Sequence, residues 1–257
     1  MDNILAIAKA TYWRHASSKA LYLLWILLIV LISSATRYDV LSIGRSKVLV
    51  VDLGLALIAL VGAGSIMVLG LEVPRELRQR IAENLLSKPV GRDQYLTGKF
   101  LGAFLFALGN VLFISVGFLI VLMISKTPVT EQFILPLFGI LGMMLILASA
   151  AALFGTFLSE VPAVIATFLV FWLGHSTQAI AHMADGMQGA GSMVLRAIYG
   201  LLPNLNLLNT RGDFSQTLFA NAPGVPWSYM GISLAYALLY AVVLFVTALL
   251  VFRRRDL

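Results

Sequence analysis

The chain has no cysteine, so it holds no disulfide, thiol nucleophile or cysteine metal site, and its redox compartment leaves no mark on it. Charge is nearly as scarce. Only 12% of the 257 residues are Asp, Glu, Lys or Arg, where a soluble domain carries roughly 25%. Apolar residues take up the difference at 60%, against roughly 45–50% in soluble domains, and the mean hydropathy is +0.94. Together these departures exclude a soluble domain. The net charge of +6 does not signal nucleic acid, because the basic residues flank apolar runs and form no continuous stripe.

What the sequence does contain is long apolar runs. A bilayer core of about 30 Å takes roughly 20 apolar residues as a helix, because every backbone group there must be paired within the protein. Six stretches meet or approach that length: Ala20 to Thr36, Val48 to Leu71, Phe100 to Ser125, Phe133 to Leu158, Pro162 to Ala181 and Met230 to Phe252. Pro162 opens the fifth, where a missing N–H costs nothing. The fold class is therefore all-α, a polytopic membrane domain over 1–257 with six transmembrane helices.

Lysine and arginine give the orientation. With both termini on one side, twelve of the 18 basic residues lie there: Lys9, Arg14, Lys19, Arg75, Arg78, Arg80, Lys88, Arg92, Lys99 and Arg253 to Arg255. Six lie opposite: Arg37, Arg45, Lys47, Lys126, Arg196 and Arg211. That bias puts both termini in the cytoplasm. Lys19, the short apolar run and Ser33-x-Ala35 also look like a cleavable signal peptide. The polar segment ahead of the run is long for a signal's basic region, so the first run is kept as a span.

Two polar segments are patterned. In residues 1–19, Ile4, Ala8 and Tyr12 share a helical face with Leu5, Lys9 and Trp13 point elsewhere, and Asp2 can cap. This fits an amphipathic helix in the cytoplasmic interface, with a frayed polar leader as the alternative. In the cytoplasmic loop 72–99, Leu77, Ile81 and Leu85 fall on one face, opposite Glu76, Gln79 and Glu83. Pro74 suits a first turn, and Lys88-Pro89 ends the helix, so the pattern predicts a helix from Arg75 to Ser87. Glu76 and Arg80 form an i, i+4 pair worth about 0.3 kcal/mol. A solvated connector obeying only the charge bias is the competing account.

The run Asn84-Leu-Leu-Ser-Lys-Pro-Val-Gly-Arg92 with Tyr95-Leu-Thr-Gly-Lys99-Phe-Leu-Gly102 resembles the same loop of type-2 ABC transporter permeases. In that family an amphipathic elbow helix precedes six spans, and a coupling helix between spans two and three docks on a separate ATPase subunit. A long outer loop precedes the last span, and a basic tail ends the chain. This sequence has each feature in order, with the elbow over 1–19, the outer loop over 183–229 and the tail Phe252-Arg-Arg-Arg-Asp256. Leu202-Pro-Asn-Leu-Asn-Leu-Leu-Asn209 in the outer loop is also similar to some members. The resemblance implies ATP-driven transport, usually export, across a bacterial inner membrane. It assigns coupling to Arg75, Glu76, Leu77, Arg78, Arg80, Ile81, Glu83 and Leu85. The chain itself has no P-loop: Gly98-Lys99 is followed by Phe100, and Asp93 stands where the first glycine belongs. ATP and magnesium are therefore expected on the partner, with no cofactor here. The length implies a half-permease that pairs with a second copy or a homologous subunit.

Three polar residues are candidates for lining a pathway. Asp52 is the one acid inside an expected span, near the outer surface, where it can instead snorkel or pair with Arg45 or Lys47. Asn110, at mid-depth in the third span, suits a cavity wall or an interhelical hydrogen bond. His175 lies near the outer end of the fifth, with His182 nearly on the same face and Asp185 beyond. Zinc sites show tighter ligand pairs and more ligands, and scattered methionine is packing, so no metal site is assigned. His175-Ser176 are sequence neighbours and point apart on a helix, which is poor geometry for a nucleophile and its base. Ala151 and Gly155 permit close helix packing. A secondary carrier would show inverted repeats and midplane charges, and an intramembrane enzyme needs convergent acid, base or metal groups. Neither pattern is present.

Overall fold

A computed structural model of the chain describes residues 2–17, 46–79, 90–124, 133–187, 189–213 and 223–255, with positions 26, 30, 126 and 215 besides. The expected first span, Ala20 to Thr36, lies almost wholly outside the described residues, as do Arg80 to Ser87 of the expected loop helix.

In chain order the helices are α1 (Asp2–Ala16), α2 (Ser46–Arg78), α3 (Arg92–Ile124), α4 (Ile134–Phe157), α5 (Glu160–His175), α6 (Thr177–Gly186), α7 (Ala190–Leu201) and α8 (Trp227–Arg254), with a 3₁₀ turn at Leu205–Leu208. No strand occurs among the described residues. Residues Val50–Arg78 of α2, and all of α3, α4 and α8, are each long and apolar enough to cross a bilayer. The pair α5 and α6 passes only if its two parts are taken as one span bent by 67°. The protein is thus a multi-pass integral membrane protein with four such helices, or five with the bent pair, among the described residues.

The fifth span departs from the expectation of an unbroken helix from Pro162 to Ala181. Sixteen residues of α5 reach only about 24 Å. At Gly174 the chain after α7 presses in so closely that an added Cβ would lie 2.7 Å from the Leu205 side chain. The helix then ends at Ser176, whose N–H bonds the Leu173 carbonyl. That bond takes a carbonyl that a continuing helix would need, and α6 leaves in a new direction.

The second span departs in the other sense. It was expected to end at Leu71, with a new helix beginning near Arg75, yet α2 runs through Pro74 to Arg78. Proline removes one helical hydrogen bond, a loss that packing offsets in membrane helices. Here Val73 and Pro74 are buried against Gly155 of α4, where a Cβ would stand 3.4 and 3.5 Å from them.

Helix α4 is the centre, packed against α8, α2, α5 and α3. Its small residues make this possible. A Cβ on Gly142 would come within 3.1 Å of Leu234 and 3.3 Å of Ala237 on α8. At Gly139 it would lie 2.0 Å from the Leu208 carbonyl oxygen, so only glycine lets the 3₁₀ turn seat there. The core continues through Leu55, Ile58, Ile66, Leu69, Ile114 and Phe118, all fully buried. Large apolar side chains such as Ile165, Trp172, Leu239 and Val243 point outward, as a lipid solvent permits.

Helix α1 lies against α3. Its buried face is Ile7, Ala8 and Thr11, whereas Leu5 and Trp13 are exposed. The expected face of Ile4, Leu5, Ala8 and Tyr12 is therefore rotated, because the partner is a glycine groove that lets α1 approach closely through Ile7, Ala8 and Thr11. A Cβ on Gly98 would lie 2.7 Å from Ile7, and one on Gly102 would lie 2.6 Å from the Ala8 carbonyl.

Candidate functional site

The most concentrated chemistry lies where α1, α2 and α3 meet, at the end of the bundle that also carries Arg253 to Arg255. Because α2 stays helical to Arg78, Glu72 and Glu76 sit one turn apart on the same face. Tyr95 and Lys99 do the same on α3. Lys99 Nζ lies 2.6 Å from Glu72 Oε1 and 2.7 Å from Glu76 Oε1. Tyr95 Oη donates to Glu76 Oε2 at 2.7 Å. From α1, Arg14 Nη1 reaches Glu72 Oε1 at 2.9 Å and Glu76 Oε1 at 2.5 Å, and His15 Nε2 lies 2.8 Å from Glu72 Oε2. Every carboxylate oxygen of the acid pair is engaged.

Burial makes this set consequential. Glu72, Glu76, Lys99 and Tyr95 are 6%, 2%, 3% and 0% exposed. Ions taken out of water must be compensated by partners and hydrogen bonds. Two carboxylates against Lys99 and Arg14 balance in formal charge. Burial works against the Arg14 charge, but the Glu76 hydrogen bond and the Glu72 and Glu76 charges outweigh it and hold its guanidinium above the ordinary arginine pKa. The Tyr95 ring stacks on Phe252, with centroids 5.9 Å apart, which brings α8 into the same assembly.

A second tier of contacts ties the remaining helix ends. Arg78 Nη2 pairs with Glu160 Oε1 of α5 at 2.5 Å. Arg253 Nε donates to Asp93 Oδ1 at 2.8 Å, joining α8 to α3. Arg92 Nη1 donates to the carbonyls of Arg253 and Arg255, and Arg255 Nη1 donates to the Thr156 carbonyl at the end of α4. The arrangement brings no nucleophile and base together. Its capacity is mechanical: it fixes five helix ends and α1 into one block beside the connection from α2 to α3.

Several residues assigned to coupling are placed otherwise than the sequence pattern suggests. Arg75 and Arg78 are exposed, but Glu76 and Leu77 are buried. Glu76 was expected on a solvated face beside Arg80 and instead meets Lys99. Leu77 was expected in a surface stripe and instead packs in the core, because the span sets the phase of the helix. Arg80, Ile81, Glu83 and Leu85 lie outside the described residues.

The three pathway candidates do not converge on one another. Asn110 is buried and its Nδ2 donates to Ser65 Oγ at 2.8 Å, so its amide joins α3 to α2. At the opposite end of the bundle, Asp52 is half-buried and faces the charge of Arg211, from the chain after the 3₁₀ turn. The side chains of Arg45 and Lys47, its expected partners, are outside the described residues. Burial pushes the Arg211 guanidinium below its usual pKa, and Asp52 opposes that shift. His175 Nδ1 lies 2.9 Å from the Phe171 carbonyl, and with Asn209 and Arg211 it lines a small cavity of about 10 Å³. The bend at Ser176 parts His175 from the exposed His182, and no group of three or more His, Asp or Glu side chains is placed to hold a metal among the described residues.

The segment Leu202 to Asn209 forms a further anchor. Thr177 Oγ1 donates to Asn204 Oδ1 at 2.9 Å, Asn206 Nδ2 donates to Thr177 Oγ1, and the Asn204 N–H donates to Tyr236 Oη at 2.9 Å.

Sequence reasoning missed Arg14, His15, Glu72, Tyr95 and Lys99 as one cluster. The available signal was the pair of i, i+4 spacings, Glu72/Glu76 and Tyr95/Lys99, flanking a short connection. Pro74 masks that signal, because a proline there ordinarily marks a helix start.

No individual curated protein matches the chain. The family model described as "ABC-2 family transporter protein" matches residues 73–257, which takes in the last turns of α2 and everything from α3 to α8. On that match over most of its length, with a helical membrane bundle beneath it, the chain belongs to the ABC-2 transporter family as a type-2 ABC transporter permease.

Proposed function

We propose that this permease is the membrane half of an exporter driven by a separate ATP-binding-cassette subunit, and that the subunit pushes on the connection between α2 and α3. The observation that carries this is the buried bridge from Lys99 to Glu72 and Glu76. A force applied to a short connection moves a transmembrane helix only if the helix ends do not splay. Here α2, α3 and α1 are tied immediately behind that connection, so they shift as a unit.

Arg80, Ile81, Glu83 and Leu85 supply the docking segment, with Ile81 and Leu85 as apolar anchors and the charges as its rim. Arg75 and Arg78, exposed at its root, extend the rim. Both termini and this face lie on the cytoplasmic side, as the twelve-to-six bias of lysine and arginine indicates, and the family resemblance implies a bacterial inner membrane. α1 is the elbow helix. ATP and magnesium belong to the partner, since the sequence lacks a phosphate-cradling loop. Two copies, or one copy and a homologous permease, form the complete transporter.

Affinity purification of the tagged chain from native membranes tests this. An ATPase subunit should accompany it, the eluate should hydrolyse ATP, and the isolated chain should not. The Ile81→Asp variant should insert normally yet lose the subunit. ATP turnover by the chain alone, or native preparations without an ATPase subunit, would overturn the proposal.

A further inference from the structure

Between α4, α5, α8 and the end of α7 lies a cavity of about 710 Å³. Its walls include Phe154 of α4, Val170 of α5, Leu201 and Pro203 at the end of α7, and Tyr240 and Val243 of α8. Among the described residues, no charged side chain lines it. The polar side-chain atoms in its described wall are the hydroxyls of Tyr236 and Tyr240, and each makes one hydrogen bond. Tyr240 Oη donates to the Leu201 carbonyl at 2.6 Å, and Tyr236 Oη accepts from the Asn204 N–H. These two bonds pin the chain after α7 across one end of the cavity.

Depth and opening identify the occupant. Val170 stands about 15 Å along α5 and Tyr240 about 20 Å along α8, so the cavity lies in the middle of a core about 30 Å thick. The rim residues Leu239 and Val243 are 69% and 65% exposed, which opens it sideways toward hydrocarbon. Water gains too few partners in an apolar space to fill it. Ions find no counter-charge among the described lining residues, and sugars and peptides find only two tyrosine hydroxyls, each already in one hydrogen bond.

We propose that this cavity binds the hydrocarbon tail of an amphiphilic lipid arriving sideways from the bilayer, and that such lipids are the substrate class of this permease. The proposal rests on the transport function above and adds the chemistry of the cargo. Gly200 gives the means to test it. It lines the cavity, and a Cβ added there meets nothing within 4 Å, so a larger side chain enters empty space without disturbing the backbone.

The experiment uses the purified complex in phosphatidylcholine nanodiscs containing a palmitoyl lipid with a diazirine near its methyl end. Photolabelling should concentrate on Phe154, Leu201 to Pro203 and Tyr240 to Leu244. It should fall about tenfold in Gly200→Phe and in Val243→Phe, which fill the space or its rim. Leu250→Phe, exposed on the same helix outside the cavity, should change nothing. ATP hydrolysis by the complex should rise with added amphiphile in the native protein and not in Gly200→Phe. Even labelling of all exposed helix faces would mean bulk lipid only and overturn the proposal. A disulfide between two Val243→Cys chains, with no labelling of the native protein, would assign the cavity to a second copy and equally overturn it. In either case a co-purifying ATPase subunit would leave the transport function standing, whereas its absence would remove that function whatever the labelling.

Discussion

Lys99 Nζ on α3 and Glu76 Oε1 on α2 lie 2.7 Å apart, and both side chains are sealed from solvent. The same ammonium holds Glu72, so one cation stands between two acids one helical turn apart. Removing it leaves two buried carboxylates with the half-exposed Arg14, His15 and the Tyr95 hydroxyl beside them. Breaking a buried pair in this way costs roughly 3–5 kcal/mol. Lys99→Met should therefore lower the thermal midpoint of the solubilised protein sharply. The triple variant Lys99→Met, Glu72→Gln, Glu76→Gln should recover most of the loss, because neutral amides need no counter-charge. A triple variant as unstable as the single one would show that the cluster is held together by something other than charge balance.

The seat of α1 is a second test. At Gly102 an added Cβ would strike backbone and the side chain of Thr11, neither of which yields cheaply. Gly102→Leu should dislodge α1 from α3 at a cost of about 1–3 kcal/mol. A cysteine placed at Ala8, buried in the native protein, should become reactive toward maleimide in the Gly102→Leu background. Unchanged protection at that position would show that α1 is held elsewhere.

Asn110 provides a quieter contrast. Its amide spans α2 and α3 by a single hydrogen bond to Ser65, and such bonds in membranes average about 0.6 kcal/mol. Asn110→Leu should thus shift the thermal midpoint only slightly and leave complex assembly intact. A loss of transport without a loss of stability would instead place Asn110 on the substrate pathway.

Orientation can be read directly, since the native chain has no cysteine to remove. Met187, at the end of α6, is 49% exposed. A membrane-impermeant maleimide added to intact cells should label a cysteine at position 187 and not one at position 88. The reverse pattern would invert the topology and move the proposed ATPase contact to the wrong side.

Much of the architecture was legible because a bilayer constrains sequence so strongly. The runs at Phe100, Phe133 and Met230 correspond to α3, α4 and α8, since no other structure satisfies the backbone of a long apolar segment in lipid. Pro74 was misleading for a local reason. In water a proline at that place reads as a helix start, whereas α4 packs against it through Gly155 and the helix continues. From that one residue followed the misplacement of Glu76 and Leu77, which a helix in the phase of α2 turns inward.

The sequence by itself determined that this protein lives in a membrane, which segments are apolar enough to cross it, and, through its resemblance, the family to which it belongs. Those properties reside in composition and in the order of short motifs, and both are local. Tertiary structure alone decided that Arg14, His15, Glu72, Glu76, Tyr95 and Lys99 form one buried network, and that the span expected from Pro162 to Ala181 breaks at Ser176. It also decided that an apolar cavity opens between α4, α5 and α8. Each depends on distances between residues far apart in the chain, such as Arg14 with Glu72 or Leu205 with Gly174. No periodicity within a single segment encodes such distances, because they are fixed only when helices with small residues at their contacts close on one another.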